Sequence, residues 1–523
     1  VNFQTLNDIL PHHAARQPDT VACGASDRGY SFGALERRVN RVGNALLGLG
    51  IRPGDRVACL TKHHVECLML SLAACKIGAV CMPVNWRLSA QEFEYIVNNG
   101  EARFLMADAS FLPLVQQAKL PGVLQTVCTE RGNGAIPGFD AWYGAADDRL
   151  EAAPAGPGDA ALQLYSSGTT GLPKGVVLSH RALLSTCITC AAEWRFDGAC
   201  ILGNPLPTFH VAGMAMMLLP LFAGGRLVAF PEFDASAFID SIGRDGITHT
   251  FIVPAMLQFM LNVPNVEHGD YQGLRQIAYG GSPISERVLQ EAMRMFQCGF
   301  LQVYGLTEVA GPAAFLRPED HQPGGDRSYL LRSAGQPVGG ARLRIVDPGT
   351  LRDAPDGEVG EIWIETIRNF SEYWRNPEAT SEAFPAGRTA AGGWFRSGDA
   401  GYLKDGYLFI HDRVKDMIIS GGENVYPAEV ENVVMQHPAV ADCAVFAVPD
   451  ETWGEAVKVA VVVRAGGALT ESELIGFARE RLAHYKCPKS VDFAEALPRN
   501  PTGKLLKRVL RQPYWAGRDR LVS

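Results

Sequence analysis

The chain has 523 residues, 47% of them hydrophobic and 20% charged, with a net charge of −8 and a pI near 5.9. That length exceeds a single core and implies about two to four structural units. The composition is that of a soluble globular enzyme, and the acidic balance excludes a nonspecific nucleic-acid binder, which needs a basic surface.

Taken in order, Val1-Asn-Phe-Gln-Thr-Leu-Asn-Asp8 shows neither a basic flank nor an apolar stretch, so no secretory leader is expected. Between Tyr30 and Leu49, Leu35, Val39, Val42, Leu46 and Leu47 recur at helical spacing; Ile51-Arg-Pro-Gly-Asp55 is a turn and Arg56–Leu60 a strand. The apolar runs Leu68–Val84 and Val211–Phe222 are interrupted by Lys76 or too short to cross a bilayer, so no transmembrane segment is expected. Helix and strand alternate to about Ala310, which predicts layered α/β sheets.

From Gly335 to Phe409 the texture changes. Short strands at Arg342–Val346, Glu361–Glu365 and Tyr407–Ile410, split by Gly, Pro and Asp turns, predict a small β-barrel or distorted sheet. A break at His411–Asp416 precedes strands at Cys443–Val448 and Val457–Val463 and helices at Pro427–Gln436 and Ser472–Leu482, a small separate α+β unit. The expected division is 1–413 and 414–523.

Twelve cysteines are scattered along the chain. Only Cys187 and Cys190 form a C-x-x-C, inside a helix after His180; with no second pair or histidine nearby they read as small buried residues, and the whole pattern suggests a reducing cytoplasm.

The most informative stretch is Tyr165-Ser-Ser-Gly-Thr-Thr-Gly-Leu-Pro-Lys-Gly175. It is a flexible polar turn between two apolar runs. Glycines turn backbone N–H groups toward an anion, hydroxyls add donors and Lys174 adds charge, which together make a phosphate cradle. It is not a Walker A loop, because no Gly-Lys-Ser/Thr follows at the required spacing.

This stretch resembles the signature loop of adenylate-forming enzymes: acyl-CoA synthetases, peptide-synthetase adenylation domains and luciferases. Three further motifs follow in family order, and the resemblance extends from about Thr5 to Arg511. Gln302-Val-Tyr-Gly-Leu-Thr-Glu-Val-Ala310, which alone also reads as the end of a strand, is similar to the Tyr-Gly-x-Thr-Glu motif. Trp394-Phe-Arg-Ser-Gly-Asp-Ala-Gly401 is a glycine-flanked turn whose carboxylate can take both ribose hydroxyls as donors. Pro498-Arg-Asn-Pro-Thr-Gly-Lys504, by composition a solvated turn, resembles the family's terminal lysine loop.

The resemblance implies an ATP-, Mg²⁺- and coenzyme A-dependent acid–thiol ligase that forms an acyl-AMP, expels pyrophosphate and loads a thiol. A carrier-protein ligase or a non-catalytic binding relative is the alternative. It implies a large α/β N-terminal domain with a mobile α+β lid.

By the same resemblance, Ser166, Ser167, Gly168, Thr169, Thr170, Gly171 and Lys174 hold phosphates. Gly280, Gly281 and Ser282 pass close to the adenine or the acyl group, Tyr304 and Gly305 flank adenine, Thr307 meets the α-phosphate, and Asp399 and Arg413 take the ribose. Thr169 and Glu308 serve Mg²⁺, Lys504 the reacting carboxylate and phosphate, and Lys415 the hinge. Arg87, Gly421, Gly422, Tyr485 and Lys486 serve coenzyme A, although Cys487 stands where some relatives place an arginine.

His210 matches a position that gates the carboxylate; a lone histidine in an apolar stretch also reads as structural. The pocket liners Phe209, Val211, Gly213, Met214, Leu306, Val309, Ala310 and Gly311 are apolar or small. No arginine or lysine sits among them for a second carboxylate, so an apolar monocarboxylic acid, fatty or aromatic, is expected. Chain length and a homodimer are left open.

Overall fold

A computed structural model describes residues 3–25, 28–62, 65–151, 153, 155–166, 173–282, 284–389, 392–413, 416–420, 423–450, 452–499 and 505–516. The expected α/β layering is present. Among the described residues one sheet has seven strands, with Ala160–Ser166 and Lys174–Ser179 beside the parallel strands Val80–Pro83, Arg56–Leu60, Ala102–Ala107 and Gln125–Cys128. A second has nine, with Gly299–Leu306, Gln276–Gly280, His249–Ile252 and Ile201–Asn204 parallel at its centre.

The two apolar runs explain how the sheets meet. The helix Val65–Lys76 is buried at every position from Cys67 to Lys76, and the helix Val211–Ala223 from Gly213 to Leu221. A helix apolar on all sides has no solvent face and must sit inside. Both lie in one core that also takes in residues of both sheets. Among the described residues no helix is long and apolar enough to cross a membrane.

The third sheet is antiparallel, in the order Arg342–Val346, Gly360–Glu365, Trp394–Lys404, Tyr407–Arg413. It is an open four-stranded sheet, the second of the two forms expected. The fourth sheet has five strands, from Ile418–Ser420 to Ser490–Phe493, and closes a core of its own with the helices Pro427–Val434 and Glu471–Arg479.

Thr366-Ile-Arg-Asn-Phe370 holds a residue the sequence reading passed over. The Arg368 side chain is fully buried. Its guanidinium donates to the carbonyls of Gly339 (2.8 Å), Pro312 (2.8 Å) and Val338 (3.2 Å) and to Thr189 Oγ1 (3.2 Å). None of these acceptors is a carboxylate, so burial pulls the pKa down to about 10. The cation fastens the helix His180–Glu193 to the backbone just after Gly311.

Candidate active site

The carboxyl ends of the parallel strands and the third and fourth sheets enclose a cavity of about 1840 Å³. The hairpin Ala160–Ser166/Lys174–Ser179 brings Ser166 opposite Lys174 at its tip, and both line the cavity. Ser166 Oγ donates to Glu308 Oε1 at 3.3 Å, and the Tyr373 hydroxyl donates to the same oxygen at 3.2 Å. Burial, followed by the Glu308 charge, raises the Tyr373 pKa, so it remains a donor. The Phe370 amide fixes the Glu308 carbonyl at 2.7 Å. Lys174 Nζ stands 5.1 Å from the Tyr373 ring centre.

Glu308 sits in a short 3-10 turn, Thr307–Val309, directly after the strand Gly299–Leu306. One glycine makes that junction possible. A Cβ on Gly305 would stand 1.9 Å from the Gly311 carbonyl, so no side chain fits there. Gly281, at the end of the neighbouring strand, has φ +81°, a conformation glycine adopts without strain. Just before it, the buried Tyr279 hydroxyl donates to His321 Nε2 at 2.9 Å.

Asp399 departs from expectation. It lies within the strand Trp394–Lys404, next to a bulge, rather than in a turn; the left-handed Gly398 before it re-aims the chain. The Tyr304 hydroxyl donates to Asp399 Oδ2 at 2.9 Å. Ser397 Oγ accepts from the Asp399 amide, and Glu361 accepts from Arg396, Trp363 and the Gly398 amide. Arg413 is the backbone partner of Asp399 on the next strand.

His210 caps the helix Val211–Ala223 without a side-chain cap bond. Its Nε2 is enclosed and has no hydrogen-bond partner among the described residues, and its ring tilts against Phe209, 4.4 Å between centres. Burial, then the charge of Arg87, depresses its pKa to about 3, so the imidazole is neutral near neutrality. Arg87 stacks on Trp86 at 4.2 Å, and both line the cavity.

The fourth sheet's unit presents one particular face. Arg499, Leu505 and Lys507 line the cavity, and Arg499 and Leu505 bridge to each other around residues 500–504. Tyr485 and Lys486 do not line it; Lys486 pairs with both oxygens of Glu429 at 2.7 and 2.8 Å. Cys487 is buried, and its thiol donates to the Leu482 and Ala483 carbonyls.

The expected residues therefore sort into groups. Ser166, Lys174, Gly281, Ser282, Tyr304, Gly305, Leu306, Thr307, Glu308, Gly311, Phe209, His210, Val211, Asp399 and Arg87 share the cavity wall. Gly280 ends the strand behind it. Ser167, Gly168, Thr169, Thr170, Gly171, Lys415, Gly421, Gly422 and Lys504 lie outside the described residues.

Gly213, Met214, Val309 and Ala310 were expected in the pocket and do not line it. The helix turns Ala212, Ala215 and Met216 to the cavity instead, which puts Met214 in the core. Val309, the last residue of the 3-10 turn, and Ala310 after it are fully buried. Sequence reading missed the opposite wall, formed by Thr186, Cys190 and Trp194. Their spacing of four was the available signal.

A parallel-sheet scaffold with hydroxyl, carboxylate and lysine groups converging on one cavity defines a nucleotide-using ligase of the adenylate-forming class. The AMP-binding enzyme family matches residues 10–374, and the AMP-binding enzyme C-terminal domain matches residues 429–504. The chain belongs to this family. It is 39% identical over 529 residues to a fatty acid–[acyl-carrier-protein] ligase, ScoC, of Streptomyces coeruleorubidus, covering 100% of this chain and 98% of that protein. It is 37% identical to the long-chain-fatty-acid–CoA ligase FadD13 of Mycobacterium tuberculosis, covering 94% of each. Among solved structures, ATP-bound MatB from Rhodopseudomonas palustris superposes with a TM-score of 0.87 at 30% identity, over 98% of this chain and 99% of that one. An anthranilate CoA ligase, AuaEII, with anthranoyl-AMP gives 0.89 at 27% identity over 98% of each.

Proposed function

We propose that the chain activates an apolar monocarboxylic acid, fatty or aromatic, as its acyl-adenylate and passes the acyl group to the thiol of coenzyme A. The observation that carries this reading is the convergence of Ser166, Glu308, Asp399 and the flanks of residues 500–504 on one cavity with an apolar arm. Adenylation brings a carboxylate against a triphosphate, so the site needs cations and donors at the reacting phosphoryl group.

In this reading the 167–172 loop and Lys174 hold the β- and γ-phosphates, and Thr307 meets the α-phosphate. Asp399, held by Tyr304, takes the ribose hydroxyls with Arg413. Neutral His210 closes the carboxylate site without bringing a charge. Lys504 offsets the repulsion between the attacking carboxylate and the phosphate.

Glu308, on the cavity wall, supplies a carboxylate oxygen, which suits Mg²⁺, a hard cation commonly held by one or two carboxylates together with substrate phosphates. Glu308 and Thr169 would hold the ion, which neutralises phosphate charge when bound.

Residues 414–523 act as the lid and turn about Lys415. The face bearing Arg499, Leu505 and Lys507 serves adenylation. Rotation then replaces it with the face bearing Gly421, Gly422, Tyr485 and Lys486 for thiol delivery.

A carrier-protein thiol is the second reading, favoured by the 39% identity to a fatty acid–[acyl-carrier-protein] ligase and by Cys487. ATP–pyrophosphate exchange over a panel of acids tests the first half-reaction. Thioester formation with coenzyme A, against a carrier protein alone, separates the two acceptors.

A further inference from the structure

Two parallel rows of side chains form the apolar arm of the cavity. Thr186, Cys190 and Trp194 come from the helix His180–Glu193 and its C-cap; Ala212, Ala215 and Met216 come from the helix Val211–Ala223. Spacings of four in the first row, and of three and four from Ala212 in the second, keep each row on one helix face. Thr186 lies at the mouth, where its hydroxyl donates to the Ala310 carbonyl at 2.7 Å, just before cavity-lining Gly311. The segments after the two helices meet around Gly225, whose backbone approaches the carbonyls of Asp197 and Cys200. Both rows therefore run inward together.

The inner end is fixed. Trp194 is 1% exposed, stacks on Phe251 with ring centres 6.2 Å apart, and its carbonyl accepts from His249 Nε2 at 3.2 Å. The wall between is apolar in practice: the Thr186 hydroxyl is committed to backbone carbonyls, and burial pushes the Cys190 thiol up to about 12, so it stays protonated.

We propose that the row Thr186–Cys190–Trp194 measures the acyl chain, with Trp194 as its floor, so that the favoured acid is a straight, medium-length one. This rests on the function proposed above. Two helical turns from Thr186 to Trp194 span about 12 Å. An extended chain of roughly eight to ten carbons fills that length. Cys190 stands halfway along it, so a larger side chain there shortens the slot without touching the nucleotide groups.

The test measures kcat/KM for pyrophosphate exchange with straight-chain acids from butanoate to hexadecanoate. The parent chain is compared with Cys190→Phe, Trp194→Ala and Trp194→Phe. The parent optimum is expected at octanoate to decanoate. Cys190→Phe should move it to butanoate or hexanoate, with decanoate falling more than about tenfold and butanoate holding within about twofold. Trp194→Ala should extend the range toward hexadecanoate, and Trp194→Phe should restore the parent profile. Thermal shifts with acyl sulfamoyl adenosines of matching lengths read the same order without turnover, and cover the case in which Trp194→Ala folds poorly. An unmoved optimum, or an equal loss on every acid in Cys190→Phe, overturns the ruler. If the parent chain exchanges with no apolar acid, straight or aromatic, the proposed function itself fails.

Discussion

The Tyr304 hydroxyl donates a 2.9 Å hydrogen bond to Asp399 Oδ2 across 95 positions of sequence. It ties the strand Gly299–Leu306, third from one edge of the nine-stranded sheet, to the antiparallel sheet beyond it. The Tyr304 side chain, expected to pack on adenine, thus has its polar end committed to the carboxylate proposed for the ribose.

Tyr304→Phe removes that bond and keeps the ring. A hydrogen bond to a charged group contributes about 1.5–3 kcal/mol. The KM for ATP in pyrophosphate exchange should rise about tenfold, with a smaller fall in kcat. A changed kcat at constant KM would mean that Tyr304 acts on the reacting phosphate and not through Asp399.

Glu308→Gln keeps an oxygen for Ser166 and Tyr373 but removes the charge. Exchange should fall at least about tenfold, and the Mg²⁺ midpoint should move to higher concentration, because a lost anionic ligand lowers affinity before it alters geometry. A Mg²⁺ titration that superposes on the parent's would take Glu308 out of the metal site.

Two substitutions should split the half-reactions in opposite senses. Lys504→Ala should reduce adenylation about 10²–10³-fold and spare thioester formation from supplied acyl-adenylate, since its charge serves only the first step. Lys415→Pro should largely spare adenylation and block thioester formation, because proline fixes φ and denies the hinge a second setting. Each variant is assayed in both half-reactions; parallel losses in both would contradict the roles assigned.

Acid should destabilise the fold through buried histidines. Burial depresses His321 and His249 to about 4 and His210 to about 3, all below the ordinary 6.5. The unfolded chain therefore binds more protons between pH 6.5 and 4, and this stability is complete above pH 6.5 and lost as pH falls through that window. Each histidine contributes a slope of up to about 1.4 kcal/mol per pH unit. His321 Nδ1–H donates to the Arg317 carbonyl at 2.8 Å while Nε2 accepts from Tyr279, so protonation breaks a bond directly behind Gly280. In denaturant titrations from pH 7 to 4.5, His321→Gln should show a shallower loss of stability than the parent. An identical slope would show that burial does not depress the His321 pKa.

The sequence by itself determined whatever depends on neighbours a few residues apart. The strand Arg56–Leu60 has the bounds expected of it, the helix Phe32–Gly48 falls inside Tyr30–Leu49, and the helix Pro427–Val434 starts where expected. The strands on either side of residues 167–172 were legible because apolar runs encode local geometry.

Only the tertiary structure decided the rest. It moved Asp399 from a turn into a strand, since pairing with Tyr407–Arg413 supplies the hydrogen bonds that its glycine flanks lack locally. It turned Met214 into the core and Ala212, Ala215 and Met216 toward the cavity, because an all-apolar helix carries no polar face to fix its rotation. It buried Arg368 against carbonyls contributed by distant segments, and it chose the face that the last domain turns to the cavity. Such pairings depend on sheet register and on packing between elements far apart in the chain, which no short window of sequence records.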